Sequence, residues 1–141
     1  MPPETQPSLG VPRYSLQRRY PTYGLLVHVT HGPEAPTRAA LACLVAVAAV
    51  EAGHQVSMFF AGDSAYLLKD EVINSLNGIG TGDLADHFKT LTAAGVPMFV
   101  SGMSSKSWGV TEADLSGKNA SFAMPAKLVE LTFGCDRVLT Y

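Results

Sequence analysis

The sequence has 141 residues, of which 47% are hydrophobic and 16% charged, and its formal net charge is −2. This length suits one domain with a sizeable core and is too short for two. The charge balance disfavours a nucleic-acid-binding protein, which usually presents a concentrated basic surface. So few charged residues also indicate that another subunit covers part of the surface.

Residues 1–21, MPPETQPSLGVPRYSLQRRYP, are rich in proline and polar residues and predict an extended arm. They lack the apolar region of a secretory signal. The three arginines Arg13, Arg18 and Arg19 admit two interpretations: contact with nucleic acid or an acidic neighbour, or a solvated tail or an arm on a neighbouring subunit. We favour the second because the charges are so few.

The whole sequence predicts a cytoplasmic protein that does not cross a membrane. Its longest apolar run, AALACLVAVAAV at 39–50, is shorter than the ~20 residues that a membrane-spanning helix needs. The two cysteines, Cys43 and Cys135, make neither a disulfide framework nor a metal cluster. A reducing compartment is the simplest interpretation of this cysteine usage.

From Tyr23 onward, strands alternate with helices. YGLLVHVTH predicts a buried strand, GPEAPT a turn, and the residues from Thr37 to Ala52 an almost entirely apolar helix. A helix of this kind must be buried on both sides, against the sheet and against a second layer or another subunit. HQVSMFFAG, at 54–62, predicts the next strand.

The middle of the chain predicts two further helices and a strand. We expect Asp63 and Ser64 to cap a helix over AYLLKDEVINSL, and DLADHFKTLTAAG to form a helix on which His87 faces solvent. VPMFVSG, at 96–102, predicts a strand, which we expect to be the fourth of the sheet and to share a mouth with the first.

The last segment predicts a short turn, a helix and a final strand. We expect Thr111 to cap the turn EADL, and DRVLTY to form the strand. In the helix MPAKLVELTFG the side chains expected to point inward are Met124, Leu128 and Leu131. The prediction for 22–141 is therefore an α/β three-layer sandwich, in which helices flank a mostly parallel sheet of about five strands.

Ligands of such sheets bind at the carboxyl ends of the strands, where two loops qualify. They are THGPEAPT, after the first strand, and the serine-rich SGMSSKSWG at 101–109. In the second loop, hydroxyls, Lys106 and backbone N–H groups near a helix start suit an anion. The alternative is an ordinary Ser/Gly connection in which Trp108 fills a gap.

Catalysis by a serine nucleophile or a bound metal is disfavoured. His31 is placed to act as a base, but the sequence holds neither a Gly-x-Ser-x-Gly elbow nor a Ser-x-x-Lys pair. His28 and His31 point in different directions and make a poor metal pair, so His28 is expected in the core. GIGTG follows a helix and not a strand, which argues against a dinucleotide site. We therefore expect neither a metal nor a cofactor.

Three blocks, in their order and spacing, carry a resemblance to a known family. They are GPEAPTRAALACLVAVAAVEAGHQVSMFFAGDSAYLL, AAGVPMFVSGMSSKSWGV and CDRVLTY. From about Tyr23 to Tyr141 the chain resembles the DsrE/DsrF-like family, which includes TusD-type sulfur-relay subunits and YchN-type proteins. The resemblance implies a sulfur-relay fold and a homo-oligomer, either a trimer or a hexamer.

The same resemblance implies a divergent active site. Sulfur-handling members carry, after this strand, a cysteine that accepts sulfane sulfur as a persulfide, often with a second cysteine three positions on and an Arg-Gly pair. Counted back from Gly109, these positions hold Ser101, Ser104 and Trp108. A serine hydroxyl cannot form a persulfide, so this chain resembles a member that lacks the loop cysteine.

Three functional hypotheses follow. The first is a module that binds a small polar or anionic ligand, or a partner protein, at the serine loop. The second is a sulfur carrier or sulfurtransferase that uses Cys43 or Cys135, although we expect structural roles for both thiols and Cys135 at the amino ends of the strands. The third is a non-catalytic subunit of a sulfur-relay assembly. Whether the protein is an enzyme stays open. The candidate site residues are Ser101, Met103, Ser104, Ser105, Lys106, Trp108, Gly109 and His31.

Overall fold

The computed structural model describes residues 22–141, so the predicted arm at 1–21 lies outside the described residues. The strands are β1 (Gly24–Val29), β2 (Gln55–Phe60), β3 (Met98–Ser101), β4 (Ala120–Ala123) and β5 (Arg137–Thr140). The helices are α1 (Pro36–Glu51), α2 (Asp70–Ile73), α3 (Leu84–Ala93), α4 (Gly102–Trp108), α5 (Glu112–Leu115) and α6 (Pro125–Gly134), with a 3-10 helix over Gly62–Leu68.

The five strands form one sheet in the order β4-β3-β2-β1-β5, and every neighbouring pair is parallel. The chain steps from β1 to β4 in one direction, and α6 then returns it to the opposite edge beside β1. Right-handed crossovers therefore place α6 on the face of the sheet opposite α1 and α3. The predicted α/β architecture is confirmed.

The main core lies between the sheet and the helices α1 and α3. The buried residues of α1 are Ala39, Ala40, Ala42, Cys43, Ala46 and Val47, and those of α3 are Leu84, Phe88 and Leu91. Because α1 contacts β1, β2 and α3, α3 supplies part of the predicted second layer. The expected burial on both sides is incomplete within the described residues, since Leu41, Leu44 and Val45 are half-buried and Ala48 is exposed.

The predictions around the serine loop are wrong in three respects. The stretch after β3 is helical, because α4 begins directly at the end of the strand. β4 was not predicted from the sequence, since it has four residues and forms by pairing with β3. The strand before α4 is the third in the chain, and β2 lies between it and β1, so the two share no mouth.

The prediction that Asp63 and Ser64 cap a long helix is also wrong. The segment divides into the 3-10 helix and α2, and neither begins with a side-chain cap. Ser64 is buried, and its hydroxyl lies 2.6 Å from the Val29 carbonyl oxygen and 2.8 Å from that of Ala61. A buried hydroxyl must be paired, and the end of β1 provides the acceptor. The cap of α5 by Thr111 is confirmed, with a reciprocal bond from its N–H to Asp114.

Two expectations about side-chain orientation are corrected as well. Within α6, all of which is described, no residue is buried: Met124 at its start is exposed, and Leu128 and Leu131 are half-buried. Among the described residues, α6 is the one helix on its face of the sheet, so no other described element covers it there. His87 is half-buried and not solvent-facing, because its Nε2 contacts the Thr81 carbonyl oxygen at 2.6 Å.

Candidate functional site

A cavity of about 460 Å³ opens at the carboxyl ends of β3 and β4. We call it the α4–β4 cavity. One wall comes from α4, and the other from β4, from Val110 before α5 and from Met124 before α6. Its lining residues are Gly102, Met103, Ser105, Lys106, Val110, Phe122 and Met124.

The α4 wall is placed by the way the helix begins and ends. The Ser101 hydroxyl oxygen accepts the N–H of Ser104 at 3.1 Å and caps α4 directly at the end of β3. The helix ends at Gly109, whose φ of 69° lies in the left-handed region that favours glycine. Helical spacing then brings positions 102, 103, 105 and 106 to one face, towards β4.

Ser105 is the most unusual group in the cavity wall. It is 2% exposed, and its hydroxyl oxygen has no hydrogen-bond partner among the described residues. Leaving a buried hydroxyl unpaired costs about 1–3 kcal/mol, and an exception of this kind calls for an explanation. A ligand in the cavity would supply the partner.

Among the described residues, the one charged side chain that lines the cavity is cationic. Lys106 is exposed, and no ion pair or hydrogen bond of its ammonium is found within residues 22–141. The ten-residue helix α6 begins at Pro125, next to the lining residue Met124. A helix N-terminus carries partial positive charge, so the described surroundings of the cavity favour an anion.

Comparison with known proteins decides the family. The model of the DsrE/DsrF-like family matches residues 24–141, nearly the whole described part of the chain. The protein belongs to the DsrE/DsrF-like family. The resemblance on which the fold prediction rested is thereby confirmed, and the family is of the sulfur-relay type.

A solved crystal structure shares this fold. The crystal structure of the ychN protein from E. coli superposes with a TM-score of 0.69, covering 85% of this chain and 100% of that one. The sequence identity is 15%, so this likeness concerns the fold alone. No curated protein matches the sequence. Among residues 22–141, no helix is both long and apolar enough to cross a membrane.

In this DsrE/DsrF-like protein, Ser101 and Ser104, which the resemblance alone matched to the family's cysteines, carry hydroxyls that serve the local structure. Ser101 caps α4, and the Ser104 hydroxyl oxygen accepts the N–H of Gly62 at 2.8 Å. That bond ties α4 to the 3-10 helix. Neither serine is among the residues that line the α4–β4 cavity.

The structure separates the remaining candidates from this cavity. Trp108 stacks on Tyr66, with ring centroids 4.8 Å apart, and so packs against the 3-10 helix. Gly109 ends α4. His31 lies after β1, with Nδ1 3.2 Å from the Thr30 hydroxyl and Nε2 3.4 Å from an Arg38 nitrogen. Of the eight candidates, the cavity brings together Met103, Ser105 and Lys106.

Sequence reasoning missed the wall that faces α4. Val110, Phe122 and Met124 line the cavity. No element was predicted for Val110 or Phe122, and Met124 falls in the stretch predicted as the last helix. The available signal was the alternation in ASFAM, which is weak over so few residues. Pairing of Val100 with Phe122 and of Ser101 with Ala123 is what places this wall beside α4.

Both cysteines lie away from the α4–β4 cavity. Cys43 is fully buried in α1, and burial raises the pKa of its thiol to about 12. Cys135 precedes β5 at the amino ends of the strands, as expected, and its thiol lies 3.3 Å from the Arg137 carbonyl oxygen. No group of three or more His, Cys, Asp and Glu side chains in the described chain is arranged to hold a metal ion.

Proposed function

We propose that this protein is a binding module that holds a small anionic ligand in the α4–β4 cavity, without persulfide chemistry at that site. The observation that carries the proposal is the buried hydroxyl of Ser105 next in sequence to the Lys106 ammonium, neither of which has a partner within residues 22–141. Both groups can donate hydrogen bonds to an anion, and none of the described side chains that line the cavity is acidic.

The proposal excludes persulfide chemistry there for a chemical reason. Persulfide formation needs a thiolate, and the positions aligned with the family's cysteines are Ser101 and Ser104. Both hydroxyl oxygens already accept backbone N–H groups. The predicted ligand set is therefore narrowed to Ser105, Lys106 and Met103, and Trp108 is left as a packing residue against Tyr66.

A titration with small anions tests this proposal. We would record ¹⁵N–¹H spectra of the whole chain with phosphate, sulfate and straight-chain carboxylates from acetate to octanoate, and follow the amides of α4 and β4. At least one anion should shift these amides in the wild type and in the control Lys89→Gln, which removes an exposed charge from α3. Lys106→Gln should weaken the response about tenfold. An unchanged response in Lys106→Gln, or none in the wild type, would refute the proposal.

A sulfur-carrier role remains the second candidate and depends on Cys135. Cys43 is excluded from it by complete burial and by a pKa of about 12. Cys135 is half-buried and lines a separate cavity, which makes its thiol reachable. We would incubate the protein with a sulfane-sulfur donor and look for a persulfide on Cys135. A persulfide that is present in the wild type and absent from Cys135→Ser would support the sulfur-carrier role over a pure binding module.

We also propose that the protein forms a homo-oligomer through α6 and β5, as a trimer or a hexamer. On α6, Phe133 is 85% exposed and Val129 is exposed, and edge strand β5 adds the exposed Val138 and Leu139. Monomers rarely leave such apolar surface open, and within residues 22–141 the strand β5 pairs on one edge only, with β1. A cysteine-bearing relative is the alternative partner, as in a mixed sulfur-relay assembly.

Light scattering of the purified chain tests the homo-oligomer. Phe133→Glu should lower the measured mass towards that of the 14.9 kDa chain, whereas Lys89→Gln should not. A monomeric wild type would contradict the homo-oligomer and favour the mixed assembly.

The two free cysteines support a reducing compartment such as the cytoplasm as the place of action.

A further inference from the structure

The α4–β4 cavity is too large and too apolar for a simple inorganic anion. Its volume of about 460 Å³ falls within the range of pockets that hold organic ligands. Apart from Ser105 and Lys106, the side chains that line it are apolar: Met103, Val110, Phe122 and Met124. An inorganic anion at the polar end would leave these walls in contact with water, without the gain from apolar burial.

The two methionines indicate where an apolar group of the ligand would lie. Met103 is 62% exposed and Met124 is 56% exposed, although both line the cavity. They project from opposite walls, one from α4 and one from the start of α6. Unbranched, polarisable methionine side chains adapt to ligands of varied shape, and covering them would remove apolar surface from water.

The charge of the described lining favours a ligand with a single negative charge. Among the residues of 22–141 that line the cavity, Lys106 is the one charged residue. A ligand with two or more negative charges would bring an uncompensated charge against apolar walls, which is costly. A carboxylate can accept from the Lys106 ammonium and from the Ser105 hydroxyl at the same time.

Building on the proposed anion site, we propose that its ligand is an organic monocarboxylate with an apolar chain. The carboxylate accepts hydrogen bonds from Ser105 and Lys106, and the chain lies between Met103 and Met124 over Phe122. Binding gives Ser105 the hydrogen-bond partner that it lacks within the described chain. The same binding covers the exposed methionines.

Calorimetry with matched probes tests each part of the ligand. We would compare octanoate with octanamide, which keeps the chain and loses the charge, and with acetate and phosphate, which lack the chain. Octanoate should bind the wild type at least about tenfold more tightly than each of the other three. Shifts of α4 and β4 amides in ¹⁵N–¹H spectra would place octanoate in this cavity.

Two substitutions then remove, one at a time, the protein groups that contact the charge and the apolar chain of the ligand. Lys106→Gln should weaken octanoate about tenfold and leave octanamide unchanged, and Lys89→Gln should behave as the wild type. Met103→Gln should weaken octanoate and octanamide alike, because it acts on the chain. Met103 is so exposed that this substitution should not disturb folding.

Ser105→Ala provides a readout in which stability and binding change in opposite directions. Removing an unpaired buried hydroxyl should raise the melting temperature of the free protein, and it should weaken octanoate severalfold. A role in packing alone would change the melting temperature without lowering the affinity for octanoate. An octanoate affinity unchanged in Ser105→Ala would overturn the assignment of this residue as a carboxylate donor.

The outcomes separate this inference from the function on which it rests. If phosphate or acetate binds as tightly as octanoate and depends on Lys106, the anion site stands and the monocarboxylate proposal is overturned. If octanoate binds without any effect of Lys106→Gln, or if none of the four probes binds, both are overturned. Preference for octanoate with the expected losses in Lys106→Gln and Met103→Gln supports both.

Discussion

The two ends of the sheet carry cavities of opposite character. The cavity at the amino ends of the strands is the larger, about 700 Å³ against about 460 Å³, and it contains His54, Glu130 and Cys135. Yet these groups already have partners. His54 accepts the N–H of Tyr23 at 3.1 Å, Glu130 pairs with Lys127 at 3.2 Å, and Cys135 lies 3.3 Å from the Arg137 carbonyl oxygen.

In the cavity at the carboxyl ends of the strands, the polar groups lack such partners within the described chain. Within the described chain, the Ser105 hydroxyl and the Lys106 ammonium have no partner, although their cavity is smaller. A binding site is distinguished by polar groups that still need a partner, because a buried group without one costs free energy that a ligand can recover. Size alone would select the cavity at the amino ends, which differs from the site that we propose.

The largest effect that we predict separates the two cysteines. Cys43 is buried with a pKa of about 12, whereas Cys135 is half-buried in the amino-end cavity. With Ellman's reagent at pH 8, one thiol per chain should react at least about a thousandfold faster than the other, because Cys43 must wait for unfolding.

Variants identify which thiol is which. Cys135→Ser should abolish the fast phase, and a denaturant should make both thiols equally fast. If Cys135 fails to react in the folded protein, the amino-end cavity is closed to reagents and the sulfur-carrier candidate is lost. Fast reaction of both thiols would contradict the burial of Cys43.

The second prediction compares backbone packing at the two ends. Gly32, after β1, lies so close to the 3-10 helix that an added Cβ would overlap the Asp63 carbonyl oxygen. Gly134, at the amino end, has no atom within 4 Å of its added Cβ. Gly32→Ala should lower the free energy of unfolding by about 2 kcal/mol or more in urea titrations, and Gly134→Ala should change it by less than about 0.5 kcal/mol. Equal effects would show that the carboxyl end can yield to the added methyl.

The third prediction, of intermediate size, concerns Asp114 in α5, the helix that lies between α4 and β4 in the chain. The N–H of Thr111 and then the Lys69 ammonium hold the pKa of Asp114 below its usual range. Because the folded pKa is lowered, this contribution is complete above the unfolded value of about 3.9 and is lost as the pH falls through the folded pKa.

Asp114→Asn should therefore lower stability at pH 7 by about 1 kcal/mol, the usual value of a capping interaction. The difference from the wild type should shrink when urea titrations are repeated below pH 4. A difference that stays constant with pH would mean that the carboxylate charge does not contribute.

The smallest effect concerns His28, which lies on the α6 face in edge contact with Phe59. Burial lowers the pKa of His28. The unfolded chain thus binds a proton more readily than the folded one, and this residue's contribution is lost as the pH falls from about 6.5 towards the folded pKa. His28→Gln should lose less stability than the wild type between pH 7.5 and 5.5. Equal losses would show that His28 does not titrate differently on folding.

Most elements of the fold could be predicted from local pattern. The apolar runs of β1 and β2, the alanine-rich α1 and the Thr111 cap are each determined by neighbouring residues. Family membership followed from the order of such blocks. The failures occur where distant residues decide: Ser64 bonds to Val29, 35 residues earlier, and β4 depends on β3.

The candidate site likewise combines features set by local sequence with features set by distant residues. Sequence alone determined that Met103, Ser105 and Lys106 would follow a buried strand, because the apolar run that forms the strand is a local property. It did not predict that these residues lie on a helix. Only the tertiary structure decided that Phe122 and Met124 face them, and that Ser104 and Trp108 are engaged by Gly62 and Tyr66. The physical reason is that pairing of strands and burial of a hydroxyl depend on residues far apart in the chain, which no short window of sequence contains.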